Sequence, residues 1–97
     1  MRIAIDFDDT YTLDPEMWDK ILILMRRSGH EVFCITARPD DHMEKVRQTI
    51  GKIVGIDNCI GTQLLAKRQY VKDHYDLTFD VWIDDTPDAI VANIYQR

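Results

Sequence analysis

Two short acidic segments carry the residues best suited to chemistry. Asp6-Phe7-Asp8-Asp9-Thr10 follows an apolar run at residues 1–5, and Asp84-Asp85 follows Val81-Trp82-Ile83. Carboxylates grouped in this way can share one hard cation such as Mg²⁺ through their oxygens. One carboxylate can then attack a phosphoryl group while another handles protons. Either segment alone could be a solvated acidic turn or helix-terminal charge, but two acidic pairs after apolar runs favour a cation site.

A threonine and a lysine could complete a phosphate site. Thr36 ends the apolar run Val32-Phe33-Cys34-Ile35 and precedes Ala37-Arg38-Pro39. A hydroxyl at this point, beside helix N-terminal amides, can hold phosphate oxygens, although Thr36 could also be a plain strand-end residue. A lysine would offset the carboxylate and phosphate charge. Lys67 and Lys72 are both candidates, and either could instead be a solvated helix residue.

These side chains can meet only if the elements before them lie side by side. Apolar runs predict four strands, at residues 1–5, 32–35, either 53–56 or 58–60, and 79–83. Capping residues and apolar spacing predict helices from Asp14-Pro15 to Gly29, from Pro39 to Gly51, from Leu64 to about Tyr75, and from Thr86-Pro87 onward.

The alternation of strands and helices predicts an α/β fold. We expect right-handed βαβ units in a Rossmann-like parallel sheet of four to five strands, within a three-layer α/β/α sandwich. Asp6, Thr36 and Asp84 each stand at the carboxyl end of a predicted strand. Because such ends meet at one edge of a parallel sheet, where ligands bind, the three residues predict a single site.

Size and charge narrow the possible functions. The chain has 97 residues, which predicts a single domain over 1–97. Its net charge of −5 argues against a broad nucleic-acid-binding face. No apolar run approaches the ~20 residues that span a bilayer, and Arg2 leads directly into a strand pattern, so we expect no membrane partner and a cytoplasmic location. Cys34 and Cys59 lack metal-ligand spacing, and Cys34 is expected to be a buried free thiol.

In this order the motifs resemble those of the haloacid dehalogenase-like phosphohydrolase superfamily. A strand ending in Asp-x-Asp-x-Thr is matched by Asp6-Phe7-Asp8-Asp9-Thr10, and a strand ending in Thr or Ser by Phe33-Cys34-Ile35-Thr36. The family's lysine near a helix start is best matched by Lys67, and its strand ending in acids by Val81-Trp82-Ile83-Asp84-Asp85. The resemblance covers most of the chain.

The resemblance implies a Mg²⁺-dependent phosphatase. Asp6 would be the nucleophile that becomes an aspartyl-phosphate, and Asp8 the general acid/base, with Thr36 and Lys67 completing the catalytic set. Mg²⁺ would be held by Asp6, by the backbone carbonyl of Asp8, by Asp84, and by Asp85 as a second or water-mediated ligand. The expected substrate-binding residues are Phe7, Asp9, Thr10, Ala37 and Arg38.

The sequence departs from the family pattern in three respects. Asp9 stands where glycine is common, and Tyr11 where a smaller apolar residue is usual. The chain ends soon after the fourth motif, so a fifth strand would be very short or absent. Neither residues 11–13 nor 57–63 leave room for a cap domain. A lidless site needs a macromolecular substrate or a neighbouring subunit to exclude water. We therefore expect a phosphorylated substrate, small or macromolecular, and for a small substrate a homo-oligomer that supplies the lid.

Three other functions use similar residues. A metal-dependent nuclease could use the same aspartates with a metal-bound water, without Lys67 or a phosphoenzyme. A binding protein could keep the fold without turnover. A response-regulator receiver domain is a poorer match, since the middle strand lacks an acceptor aspartate. Phosphomonoester hydrolysis is the leading interpretation.

Overall fold

Four parallel strands form the centre of the molecule, for which a computed structural model describes residues 1–95. The strands are β1 (Arg2–Ile5), β2 (Glu31–Thr36), β3 (Cys59–Gly61) and β4 (Val81–Ile83). Their order across the sheet is β3-β2-β1-β4, and every neighbouring pair is parallel. The predicted α/β class is therefore confirmed, and the four strands of the described part agree with the four to five expected.

The first helix follows its sequence signals closely. Helix α1 (Pro15–Arg27) begins after Asp14, whose carboxylate accepts a hydrogen bond from the backbone N–H of Met17 at 3.1 Å. Pro15 occupies the first turn, where its missing N–H costs nothing. Beyond the helix, Gly29 takes φ 90°, a conformation that favours glycine. The predicted start and stop of this helix are both confirmed.

The second helical segment is broken, so the single helix predicted from Pro39 to Gly51 is wrong. The chain forms a 3₁₀ turn (Asp40–His42), helix α2 (Glu44–Gln48) and helix α3 (Gly51–Val54). At the break, the Thr49 hydroxyl donates to the backbone carbonyl of Lys45 at 2.7 Å, a bond that competes with regular helix pairing. Gly51 thus begins a helix instead of ending one.

The remaining elements also refine the sequence prediction. Strand β3 lies at the later of the two predicted positions, 58–60, since residues 51–54 are helical. Helix α4 (Lys67–Tyr75) begins three residues after the predicted Leu64, since Gln63 and Leu64 have φ values of 56° and 64°, which are incompatible with a helix. Helix α5 (Asp88–Val91) is capped at Pro87 and not, as predicted, at Thr86.

Alternate residues of the strands pack into two separate hydrophobic clusters. Ile5, Val32 and Cys34 belong to one cluster, together with residues of α1, α2 and α3. Ala4, Phe33 and Ile35 belong to the other, together with Val71 of α4. The predicted apolar stripe Met43, Val46 and Ile50 is fully buried.

Both cysteines lie inside the protein as free thiols. Cys34 and Cys59 are direct register partners on β2 and β3, and both are buried. The prediction of a buried free thiol at Cys34 is confirmed. Within residues 1–95, no helix combines the length and apolar character that crossing a membrane requires.

Candidate functional site

The topology brings three predicted residues to neighbouring strand ends. Asp6 follows β1, Thr36 ends β2, and Asp84 follows β4, with β1 between the other two strands. The backbone N–H of Asp6 donates to the carbonyl of Ile83 at 2.9 Å, which extends the pairing of β1 and β4 to the point where the acids begin. The two acidic segments therefore meet at the carboxyl edge of the sheet.

An open cleft of about 480 Å³ lies at this edge. Eight of the predicted site residues line it: Asp6, Asp8, Asp9, Thr36, Ala37, Arg38, Lys67 and Asp85. A volume of this size is in the range of small-molecule sites.

A buried lysine joins the two acidic segments. The Lys67 Nζ donates to Asp6 Oδ1 at 2.9 Å and to Asp84 Oδ2 at 2.6 Å. The side chains of Lys67, Asp6 and Asp84 are only 3%, 9% and 2% exposed. Burial lowers the pKa of Lys67, but the charges and hydrogen bonds of the two aspartates outweigh it, and the pKa is raised overall. Lys67 is therefore a buried cation inside the site.

The other candidate lysine lies elsewhere. Lys72 is exposed and pairs with Asp76 one helical turn away, at 2.6 Å. Both side chains face solvent, so this pair belongs to the surface of α4. The structure thus brings Lys67, and not Lys72, to the carboxylates.

Three carboxylates converge closely enough to hold one cation. Asp6, Asp84 and Asp85 each offer an oxygen, and these oxygens lie within 4.8 Å of one another. Burial raises the pKa of Asp6 to about 7 although Lys67 opposes the shift, and a hydrogen bond shared with Asp85 and the charge of Asp84 add to the rise. Crowded oxygen donors of this kind suit a hard divalent cation, which would relieve their repulsion.

Thr10 fixes Asp85 within this cluster. Its hydroxyl donates to Asp85 Oδ1 at 3.0 Å and accepts from the backbone N–H of Asp85 at 3.2 Å. Thr86 donates a further hydrogen bond to Asp85 Oδ2 at 3.2 Å. Burial raises the pKa of Asp85, but hydrogen bonds with Asp6, Thr10 and Thr86 outweigh it, so the pKa is lowered overall. Thr10 is itself buried and does not line the cleft.

The Asp8 carboxylate faces an arginine and lies outside the three-aspartate cluster. Arg38 donates to both Asp8 oxygens, at 2.9 Å from Nε and 2.7 Å from Nη2. These hydrogen bonds lower the pKa of Asp8 although partial burial opposes them. Arg38 also donates to the carbonyl of His42 at 2.9 Å, and its guanidinium carbon lies 5.0 Å from the Phe7 ring centroid. Arg38 is thus paired with the Asp8 carboxylate.

Phe7 and Thr36 occupy different surroundings. The Phe7 side chain is 1% exposed and stacks on Tyr11 at 5.7 Å between ring centroids, so it packs in the core and does not line the cleft. Thr36 is buried at the base of the cleft, where its hydroxyl accepts from the backbone N–H of Arg38 at 3.4 Å.

Both sequence departures in the first motif have a structural explanation. Asp9 takes φ 58°, a left-handed conformation that aspartate tolerates better than most residues and that glycine adopts freely. Its N–H donates to the Thr12 hydroxyl at 3.0 Å, which closes the turn. The larger Tyr11 is buried, with its hydroxyl donating to Asp19 at 2.6 Å.

Five further residues line the cleft that sequence reasoning did not assign to it. They are Pro39, His42, Leu64, Thr86 and Tyr95. Pro39 and Thr86 directly follow predicted segments, so adjacency alone could have suggested them. Tyr95 lies far along the chain from the motifs, and no local pattern marks it. Its position in the cleft depends on how residues 92–95 pack against the loop before α4, where Ala66 donates a hydrogen bond to Asn93.

Gly61 allows the end of β3 to pack closely against the loop that contains Arg38. A Cβ atom built on Gly61 would lie 2.4 Å from the carbonyl oxygen of Arg38 and 3.0 Å from the sulfur of Met43. The end of β3 therefore approaches the Arg38 loop as closely as a residue without a side chain allows.

Comparison with known proteins adds no assignment. No protein-family model, no curated protein and no solved structure matches this chain.

Proposed function

We propose that this chain is a Mg²⁺-dependent phosphomonoester hydrolase of the haloacid dehalogenase-like type, with Asp6 as nucleophile and Asp8 as general acid/base. The observation that carries the proposal is the buried Lys67 ammonium between Asp6 and Asp84, with Asp85 in reach of the same point. Burying three charged side chains is unfavourable for folding unless they are paired, and such clusters mark functional sites.

Asp6, Asp84 and Asp85 are the residues that would hold Mg²⁺. The resemblance of the first motif adds the backbone carbonyl of Asp8. When bound, the ion would neutralise the carboxylates and polarise the phosphoryl oxygens. Lys67 supplies a further positive charge beside the nucleophile, which offsets the charge of an incoming phosphate.

In the proposed first step, an Asp6 carboxylate oxygen forms a bond to phosphorus while the bond from phosphorus to the leaving oxygen breaks. Asp8 gives its proton to the leaving oxygen. An incoming phosphate would draw the Arg38 guanidinium away from Asp8, and loss of that partner raises the pKa of Asp8 toward the range of a general acid.

In the second step, Asp8 takes a proton from water as the water oxygen attacks phosphorus. The bond between Asp6 and phosphorus breaks, inorganic phosphate leaves, and the Asp6 carboxylate is restored. The Thr36 hydroxyl and the backbone beside Ala37 are suited to hold phosphate oxygens throughout.

The finer features predicted from the sequence belong to the same proposal. They are the three-layer α/β/α arrangement, a cytoplasmic location, and a second subunit or a macromolecular substrate that excludes water from the open cleft. The packing of strand residues into two hydrophobic clusters supports the three-layer arrangement.

The proposal is tested by phosphate release from an aryl phosphate, with and without Mg²⁺. We expect Mg²⁺-dependent hydrolysis that Asp6→Asn abolishes, together with a hydroxylamine-sensitive phosphoenzyme in the wild type only. Asp57→Asn, which changes an exposed acid in the 3₁₀ turn Ile56–Asn58, is the matched control and should leave activity unchanged. Full activity in Asp6→Asn would contradict the covalent mechanism and favour a nuclease-type metal-bound water. Mg²⁺ binding without turnover would favour a binding protein.

A further inference from the structure

Residues 92–95, the last that the structure describes, contribute Tyr95 to the cleft wall. Beyond α5, the side-chain oxygen of Asn93 accepts a hydrogen bond from the backbone N–H of Ala66 at 2.7 Å. Ala66 immediately precedes Lys67, so the segment is anchored one residue from the lysine that contacts Asp6. This anchor brings Tyr95 into the same cleft as the site carboxylates.

Tyr95 and Leu64 give the cleft an exposed apolar region. Their relative exposures are 47% and 42%, so both side chains present apolar surface that a ligand could cover. The rest of the lining is largely polar and includes Asp6, Asp8 and Lys67. The cleft therefore combines charged and apolar side chains, as small-molecule sites do.

We propose that Tyr95 and Leu64 form a subsite for the organic part of the substrate, and that this part is an uncharged planar ring, as in a nucleoside monophosphate. The inference rests on the proposed phosphatase function and names its substrate class. Tyr95 follows the anchored Asn93 by two residues and lines the cleft, so its aromatic ring is available for a base to stack on.

The charge of the cleft argues for an uncharged leaving group. Asp8, Asp9 and Asp85 line it together with Asp6, while Lys67 and Arg38 are already paired with carboxylates. A substrate whose organic part carries its own carboxylate would be repelled by these acids. An uncharged ring avoids this repulsion and covers the exposed faces of Tyr95 and Leu64.

The test compares AMP with ribose 5-phosphate, which has the same phosphate and sugar but lacks the base. We expect Tyr95→Ala to raise the KM for AMP about tenfold with little change in kcat, and to change the KM for ribose 5-phosphate much less. Tyr95→Phe should keep the preference, since the ring remains. Tyr75→Ala is the control, because Tyr75 is an exposed tyrosine of α4 outside the cleft.

Asn93 acts as a positioning residue in this inference. Asn93→Ala removes the oxygen that accepts from Ala66, and we expect it to reduce the AMP preference as Tyr95→Ala does. Asn93→Asp keeps an acceptor oxygen and should restore the preference. A loss of kcat on both substrates in Asn93→Ala, without a change in their ratio, would contradict the positioning role.

A binding measurement separates this inference from the proposed function. AMP and ribose 5-phosphate are titrated calorimetrically into Asp6→Asn protein with Mg²⁺, with and without Tyr95→Ala. Tighter AMP binding that Tyr95→Ala weakens supports the subsite even if no variant hydrolyses phosphate, in which case only the phosphatase proposal fails. Equal binding and equal hydrolysis of the two compounds, unaffected by Tyr95→Ala, would overturn the subsite while leaving phosphatase activity intact.

Discussion

The two ends of the sheet both carry ion pairs, but they differ sharply in burial. At the amino end, Arg2 lies 3.4 Å from Glu31, with side chains 30% and 60% exposed. At the carboxyl end, Lys67 lies within 2.9 Å of Asp6 and 2.6 Å of Asp84, with all three side chains below 10% exposed. Strand β1 therefore runs from a partly exposed ion pair at its amino end to a desolvated cluster at its carboxyl end.

The two sites differ in what their ion pairs can contribute to stability. An exposed pair contributes about 0–1 kcal/mol, because water already solvates both partners. A desolvated cluster gains attraction but loses hydration, so replacing it with apolar residues is often neutral or stabilising. Stability alone therefore gives no reason for the cluster at the carboxyl end, whereas the proposed catalysis would require it.

The largest expected effect follows from removing the buried cation. Lys67→Met should lower kcat/KM by about 10²- to 10³-fold, because a positive charge is lost beside the nucleophile. Lys72→Met removes an exposed lysine of the same helix and should change kcat/KM less than about twofold. The measurement is aryl phosphate hydrolysis, with thermal unfolding to verify that both variants fold. Comparable losses in the two variants would contradict the role given to Lys67.

The next effect concerns pH and stability without Mg²⁺. The folded pKa of Asp6, about 7, lies above its ordinary value of 3.8. Protonated Asp6 therefore stabilises the folded state relative to the unfolded one. This contribution to the free energy of unfolding is complete below about pH 4 and is lost as the pH rises through about 7, by at most about 4 kcal/mol. Urea unfolding with a chelator should show this decline in the wild type and a flatter profile in Asp6→Asn. Parallel profiles would show that Asp6 titrates normally.

A smaller effect is expected on Mg²⁺ affinity. Asp84→Asn removes one anionic oxygen from the cluster and should weaken Mg²⁺ binding by more than the roughly 10- to 100-fold typical of outer residues. Calorimetric titration of Mg²⁺ measures the change. Unchanged affinity in Asp84→Asn, with a loss in Asp85→Asn, would transfer the direct ligand role to Asp85.

Thr10 should have a weaker influence on the same property. Thr10→Val keeps the shape but removes the hydroxyl that fixes Asp85, and we expect Mg²⁺ affinity to fall about tenfold. Thr12→Val is the matched control, since its hydroxyl contacts the Asp9 backbone and not Asp85. An equal loss in both variants would point to a general disturbance of the turn.

The smallest effect is expected at the amino end of the sheet. Glu31→Gln should change the free energy of unfolding by less than about 1 kcal/mol and leave activity unchanged. Urea unfolding and the phosphatase assay measure both quantities. A large loss of activity would show that the two ends of the sheet are coupled.

The sequence predicted the parts of the fold that depend on local signals. Asp14-Pro15 marked the start of α1, and the apolar runs marked the strands that bring Asp6 and Asp84 together. Since the carboxyl ends of parallel strands share one edge, the meeting of these residues followed from the strand pattern alone.

The features that sequence reasoning missed depend on contacts between distant segments. The break at Thr49 involves a hydroxyl that bonds to the backbone, which apolar spacing does not reveal. The pairing of Asp8 with Arg38 and the place of Tyr95 in the cleft each join segments far apart in the chain. Local patterns carry no information about such long-range packing.

The close approach at Gly61 has a consequence for mutational scanning. Gly61→Ala adds a single methyl group at a position that touches no carboxylate of the site. That methyl would meet the backbone of Arg38, which cannot swing aside as a flexible side chain can, so the loop holding the Asp8 partner has to shift. If the activity of every substitution were measured, Gly61 would rank beside the aspartates of the proposed site, although Gly61 provides space for the Arg38 loop and takes no part in the proposed chemistry.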